Sequence, residues 1–179
     1  MGLFPFFRRK PFERPGFLLY GAAVAAARRP ALFAEIGIPD THRGRFEAIC
    51  LFVALVIRRC AAEPDPRAGE LAQAVFDAMF ADMDHTLREM GVGDLSVGKK
   101  NRELWEAFHG RARAYAAALD AGDPEALAEA LARNLWPEGA PEGAAARLAA
   151  LAAAEARSLA AQPFAALAAG QARFADAAA

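Results

Sequence analysis

Cysteine is scarce in this chain. It has two in 179 residues, Cys50 and Cys60. Placed on one helix they stand roughly 15 Å apart along its axis, whereas a disulfide needs Cα atoms within about 7 Å. That spacing argues against a disulfide scaffold or a cysteine metal site, and a reducing cytoplasm suits both thiols as small buried hydrophobes. Lysine is also rare, at three residues against eighteen arginines. This preference points to a GC-rich bacterial genome. Long apolar runs are missing too. The longest, Ala48 to Ile57, is about 15 Å as a helix, half of a bilayer core of about 30 Å, so no membrane-spanning segment is expected. No stretch alternates as a β-strand would. No Ser-His-Asp or Cys-His set suggests a nucleophile. The overall charge is not basic and no reading helix stands out, so nucleic-acid readout is not expected.

Apolar residues are abundant instead, at 55% of the chain against 24% charged, enough for a folded core. The net charge of −1 is unevenly spread. Residues 1–60 carry ten Arg/Lys and four Asp/Glu, while residues 61–179 carry eleven and eighteen. Either the N-terminal part faces an anionic partner, or the two parts attract each other in the fold.

Residues 1–16, MGLFPFFRRKPFERPG, read as a flexible arm, because Pro5, Pro11 and Pro15 interrupt any helix. Its charges follow its apolar residues, the reverse of a secretory signal, and Phe6 stands where myristoylation requires Ser or Thr. Phe4, Phe6 and Phe7 beside Arg8, Arg9 and Lys10 suit a lipid headgroup surface. Residues 17–179 read as one all-α domain of about seven helices. Its core region is 18–136 and an Ala-rich helical part covers 142–176. Helix is expected from Phe17 to Arg29 and again over ALFAEIG. A central helix capped by Asp40 or Thr41 runs to Cys60, and the next spans Glu70 to Met90. A further helix runs from beyond GDLSVGKK to Ala121. Asp123 caps a shorter one over 124–135, with Pro124 at its first position. The last pieces flank Pro163.

GDLSVGKK (93–100) nearly matches the phosphate-binding pattern G-x-x-x-x-G-K-[ST]. A helix precedes it instead of a strand, and Lys100 stands where Mg²⁺ needs Ser or Thr. It is expected to be a connection between helices, with Gly91 taking the left-handed conformation and Asp94 or Ser96 capping the next helix. Asp82, His85 and Glu89 share one face of the 70–90 helix and are metal-ligand types. They carry the alternative reading of a helical metal- or small-ligand-binding enzyme. Asp84 and Arg88 form an i,i+4 pair worth about 0.3–0.5 kcal/mol. Asp82 lies beside the apolar stripe, so it is expected to be half buried and paired with Arg45 or Arg111.

The stretches YGAAVAAARRPALFAEIGIPDTHRGRFE (20–47), FDAMFADMDHTLREMGVGDLSVGKK (76–100), AFHGRARAYAAAL (107–119) and ALARNLW (130–136) together carry a resemblance. The sequence resembles the ubiquinol–cytochrome c chaperone family, bacterial relatives of the mitochondrial chaperone that assembles cytochrome b of the bc1 complex. The resemblance implies a non-enzymatic assembly factor without cofactor. Its partner would be newly made cytochrome b, with the ribosome or the inner-membrane surface nearby. Its place would be the cytoplasm or the cytoplasmic face of the inner membrane. The motif residues Gly44, Arg45, Phe46, Asp82, Asp84, Arg88, Gly91, Gly93, Asp94, Gly110 and Arg111 are the candidates for client contact. They could equally be caps, ion pairs and close packing. The Met/Phe stripe Phe76, Met79, Phe80, Met83, Leu87 and Met90 offers adaptable apolar surface, or ordinary core.

Overall fold

The structure, a computed structural model, describes residues 11–89, 91 and 94–175, with only the backbone described for 94–97, 99 and 101. It is all-helical there: α1 (Glu13–Ala27), α2 (Pro30–Ala34), α3 (His42–Ala61), α4 (Ala68–Glu89), α5 (Asp94–Ala121), α6 (Pro124–Leu135), α7 (Ala144–Ala160) and α8 (Phe164–Ala168). α3 is the axis of the fold, packed by α1, α4, α5, α6 and α7. Its run Cys50–Val56 is buried on all sides, as its unbroken apolar sequence requires.

Two helix starts differ from the sequence reading. α1 begins at Glu13, not Phe17. Pro15 is its third residue, where no intrahelical N–H bond is needed, so the ring is tolerated. Gly16 then lies against the Ala74 backbone, 2.6 Å from where a Cβ would sit, which brings α1 and α4 into close contact. α5 begins at Asp94, so GDLSVGKK is mostly helix and Gly98 stands inside α5. One exposed glycine costs a helix only about 1 kcal/mol, which α5's length absorbs. The expected caps hold elsewhere. Gly91 has φ +76° after α4, Thr41 caps α3 through Gly44 N, and Asp123 accepts from Glu125 N and Ala126 N.

The start of α3 is tightly constrained. Gly44 is buried, and a Cβ there would overlap the Pro39 carbonyl oxygen. Three residues on, Glu47 is 2% exposed and accepts from Arg111 Nη2 of α5 at 2.7 Å. Its second oxygen, and Arg111 Nε and Nη1, are buried without a hydrogen-bond partner among the described residues. Burial pushes the Glu47 carboxyl above its ordinary range, while Arg111 and Arg43 pull it down. A second buried acid, Glu155 of α7, accepts from Arg29 Nη2 at 2.6 Å and from Ala175 N.

Gly44→Ala is expected to cost about 1–3 kcal/mol through that overlap, read as a lower urea midpoint with an unchanged m-value. Arg111→Met leaves a buried carboxylate alone and is expected to cost about 3–5 kcal/mol, most of it regained in Glu47→Leu/Arg111→Met. The single variant's loss should also grow between about pH 5 and about pH 8. A carboxyl whose folded pKa is raised contributes stability that is lost as pH rises through that value. A loss that stayed flat across this range would show that Glu47 does not sense Arg111.

Candidate functional site

The motif residues do not converge on one pocket. GRFE and FxGRxxAY meet in the core, through Glu47 and Arg111. On α5 the Tyr115 hydroxyl accepts from Asn134 Nδ2 of α6 at 3.0 Å. Burial, with the Glu47 charge next, raises the Tyr115 pKa. Trp136, just after α6, donates to the Gly37 carbonyl at 2.9 Å. Gly44, Phe46 and Arg111 thus belong to the scaffold, Phe46 half-buried against the core. Arg45 is exposed and pairs with Asp40 at 2.6 Å, which holds the Asp40 carboxyl below its ordinary range. Together they line an open cleft of about 700 Å³ with Arg28 and Phe33. Gly110 is exposed on α5 with open space where a Cβ would be.

Asp82 is exposed, not half buried, and neither Arg45 nor Arg111 is its partner. It accepts from the Tyr20 hydroxyl of α1 at 2.6 Å. Burial, with the Asp82 bond next, holds the Tyr20 phenol protonated far above its usual range. A neutral donor thus does what a cation was expected to do. His85 Nε2 lies 3.2 Å from Glu89 Oε1 on the solvent face. Among the described residues no group of three or more His, Cys, Asp or Glu is placed to hold a metal. Asp84 and Arg88 form the expected pair at 2.7 Å. Asp94 is the first residue of α5. Gly93, and the arm residues Phe4, Phe6, Phe7, Arg8, Arg9 and Lys10, lie outside the described residues.

The Met/Phe stripe divides. Leu71, Val75, Ala78 and Met79 enter the core, and no described residue from Phe80 to Ala107 is buried. The described residues of the C-terminal half of α4 and the N-terminal half of α5 are thus exposed or only partly buried, with Phe80 and Met83 resting against the edge of the core. At their base the aromatic rings gather. Phe76 stacks on Phe80 with centroids 4.5 Å apart, and Trp105 stacks on His109 at 4.0 Å. The edge of His109 meets Phe76 at 5.1 Å, joining the two stacks. Trp105 is 46% exposed, one of three large apolar residues left in water among those described. It shares with Phe80, Arg102 and Glu106 an open depression of about 420 Å³. The arrangement is an aromatic floor with a charged rim, suited to apolar segments. Neither Trp105 nor His109 was among the sequence candidates. Their i,i+4 spacing beside the Leu104–Phe108 stripe was the available signal.

Arg29–Glu155 and Arg58–Asp120 join the basic N-terminal part to the acidic remainder, the latter at 2.6 Å. Part of the charge asymmetry is thus used inside the fold. No helix among the described residues is long and apolar enough to cross a membrane.

Comparisons with known proteins agree with this architecture. No curated protein matches the chain. Among solved structures, the crystal structure of the Cbp3 homolog from Brucella abortus superposes with a TM-score of 0.83. That match is at 40% sequence identity and covers 93% of this chain and 92% of the other. The family described as Ubiquinol-cytochrome C chaperone matches residues 34–174, which hold every buried scaffold contact of α3, α5 and α6 described above. The chain belongs to the ubiquinol–cytochrome c chaperone family.

Proposed function

We propose that this chaperone binds newly made cytochrome b during assembly of the bc1 complex, and that the Phe76–Phe80–Trp105–His109 surface meets it. The observation that carries the proposal is the half-exposed Trp105 beside a partly buried aromatic cluster in a family member. An apolar client needs adaptable apolar surface with a polar rim, not a catalytic constellation. The described residues supply the former, rimmed by Arg102 and Glu106. Asp82, Asp84 and Arg88 lie on the same C-terminal half of α4. In this reading they are its polar flank, with Gly91, Gly93 and Asp94 at the far end. Arg45 and Gly110 are the remaining exposed candidates for client contact. Gly44, Phe46 and Arg111 serve by holding α3 and α5 in place.

The basic, Phe-rich segment 1–10 suits an anionic membrane surface, and we place the protein at the cytoplasmic face of the inner membrane, where a membrane client is made. The reading assigns no reaction and no metal to Asp82, His85 and Glu89, since Asp82 is engaged by Tyr20 and His85 by Glu89.

Trp105→Asp is expected to leave the fold intact, because the ring is half in water, and to lower membrane cytochrome b in a complemented deletion strain. Haem staining of the membranes reads the outcome. Normal cytochrome b in the uncomplemented deletion would sink the client assignment, and full rescue by Trp105→Asp would move the contact surface elsewhere. Deleting residues 1–10 is expected to reduce sedimentation with phosphatidylglycerol-containing vesicles several-fold in low salt. Unchanged sedimentation would remove the arm from the membrane reading.

A further inference from the structure

A second surface lies on the other side of α4. Where α1 starts, it and α4 leave an open groove of about 570 Å³, lined by Pro11, Glu13, Phe17, Glu70, Asp77 and Ala81 among others. Its floor is apolar and its rim acidic. Phe17 is 50% exposed, an apolar ring left in water at the edge of an unfilled groove. Beside the groove Gly16 brings the α1 backbone onto Ala74, which itself lines it.

Pro11, the first described residue, is part of the groove's wall. The ten residues before it contain Arg8, Arg9 and Lys10, no acid, and Phe4, Phe6 and Phe7. Ten residues reach about 33 Å when extended, and Gly69 to Ala81 spans about 18 Å of α4, so the segment is long enough to cover the groove and turn once. The order of its residues fits the order of the wall. The cations come just before Pro11, where Glu13 and Glu70 stand. The phenylalanines lie farther from Pro11 in sequence, and the apolar part of the wall is Phe17, Ala78 and Ala81.

We infer that residues 3–10 dock in the α1–α4 groove of their own chain, with the basic triplet on the acidic rim and the phenylalanines on its apolar floor. The arm then has a resting site on the protein and is presented to other surfaces only on leaving it. This goes beyond the client reading and does not depend on it. It concerns the arm without any membrane present, so its test is made in vesicle-free buffer and can fail separately from the vesicle experiment above.

The test is disulfide trapping in the full-length protein. Cys50 and Cys60 are buried, and burial pushes the Cys60 thiol up to about 11, so an introduced pair reacts first. Phe4→Cys, seven residues before Pro11 and so within about 23 Å of it, is combined with Ala81→Cys in the groove, and separately with Arg133→Cys on α6, which does not line it. The expected result is rapid intramolecular cross-linking at Ala81→Cys, at least five-fold faster than at Arg133→Cys. Adding Glu13→Lys/Glu70→Lys, two exposed positions, should slow it at least three-fold while circular dichroism stays unchanged. Equal rates at the two positions would overturn the inference. So would disulfide-linked dimers as the main product, which would assign the groove to the arm of a second copy. Indifference to the charge reversal would overturn the electrostatic half, leaving no basis for the register.

Discussion

The Glu47–Arg111 ion pair is the contact on which the arrangement of this protein depends. It joins the central helix α3 to α5 inside the core, at 2.7 Å and almost out of water. Such a pair adds little net stability over an apolar pair of the same size, because two ions must be stripped of water. Here the balance is less favourable still, since three of its polar atoms are buried without a hydrogen-bond partner among the described residues. What the pair does supply is register. A slide by one turn, about 5.4 Å, would strand both charges. The same logic holds for Glu155, which ties Arg29 at the end of α1 to α7 and also receives the backbone of Ala175. Two buried acids thus each tie one helix of the core to a distant part of the chain.

Gly44, Glu47, Arg111, Tyr115, Asn134 and Trp136 are joined by short-range constraints. They comprise a Cβ that cannot fit, an ion pair, a hydroxyl–amide bond and an indole–carbonyl bond. Each of these constraints depends on one particular side chain or on its absence, so each tolerates few alternatives. The aromatic surface is different. Phe76, Phe80, Trp105 and His109 need only be aromatic and close together. Contact with an apolar client asks for surface, not for a particular atom.

The division between what sequence reading reached and what it missed runs along the same line. Helix order, the central place of α3, the Asp123 cap, the Gly91 turn and the Asp84–Arg88 pair are local matters, set by neighbours three or four residues away, and they were legible. The start of α1 was missed because Pro15 was read as a breaker, while at the third helical position it has no bond to break. GDLSVGKK was read as a turn because its glycines flank it, yet Gly98 is carried within a long helix. Asp82 was given a cation because a partly buried acid wants one. It is exposed and takes the Tyr20 hydroxyl, 62 residues away in sequence, a long-range pairing that periodicity does not contain.

The split of α4 bears most directly on function. A helix buried along its whole length has only its solvent face to offer. α4 is buried only as far as Met79, and its remaining half, with the facing half of α5, has no buried residue among those described. Exposed helical pairs of this kind hold together by few apolar contacts and open at lower cost than the core. Here those contacts are concentrated in the rings at the base, with Trp105 on His109 and Phe80 on Phe76. A client segment inserted beside Trp105 would therefore replace contacts that the hairpin already makes with itself. In the proposed reading the exchange also covers the half-exposed Trp105 ring, so apolar burial drives it, while the Glu47–Arg111 contact is elsewhere in the core. An ion-paired core beside a partly buried aromatic cluster is a form in which rings would rearrange around a client without disturbing the contacts that set the helices.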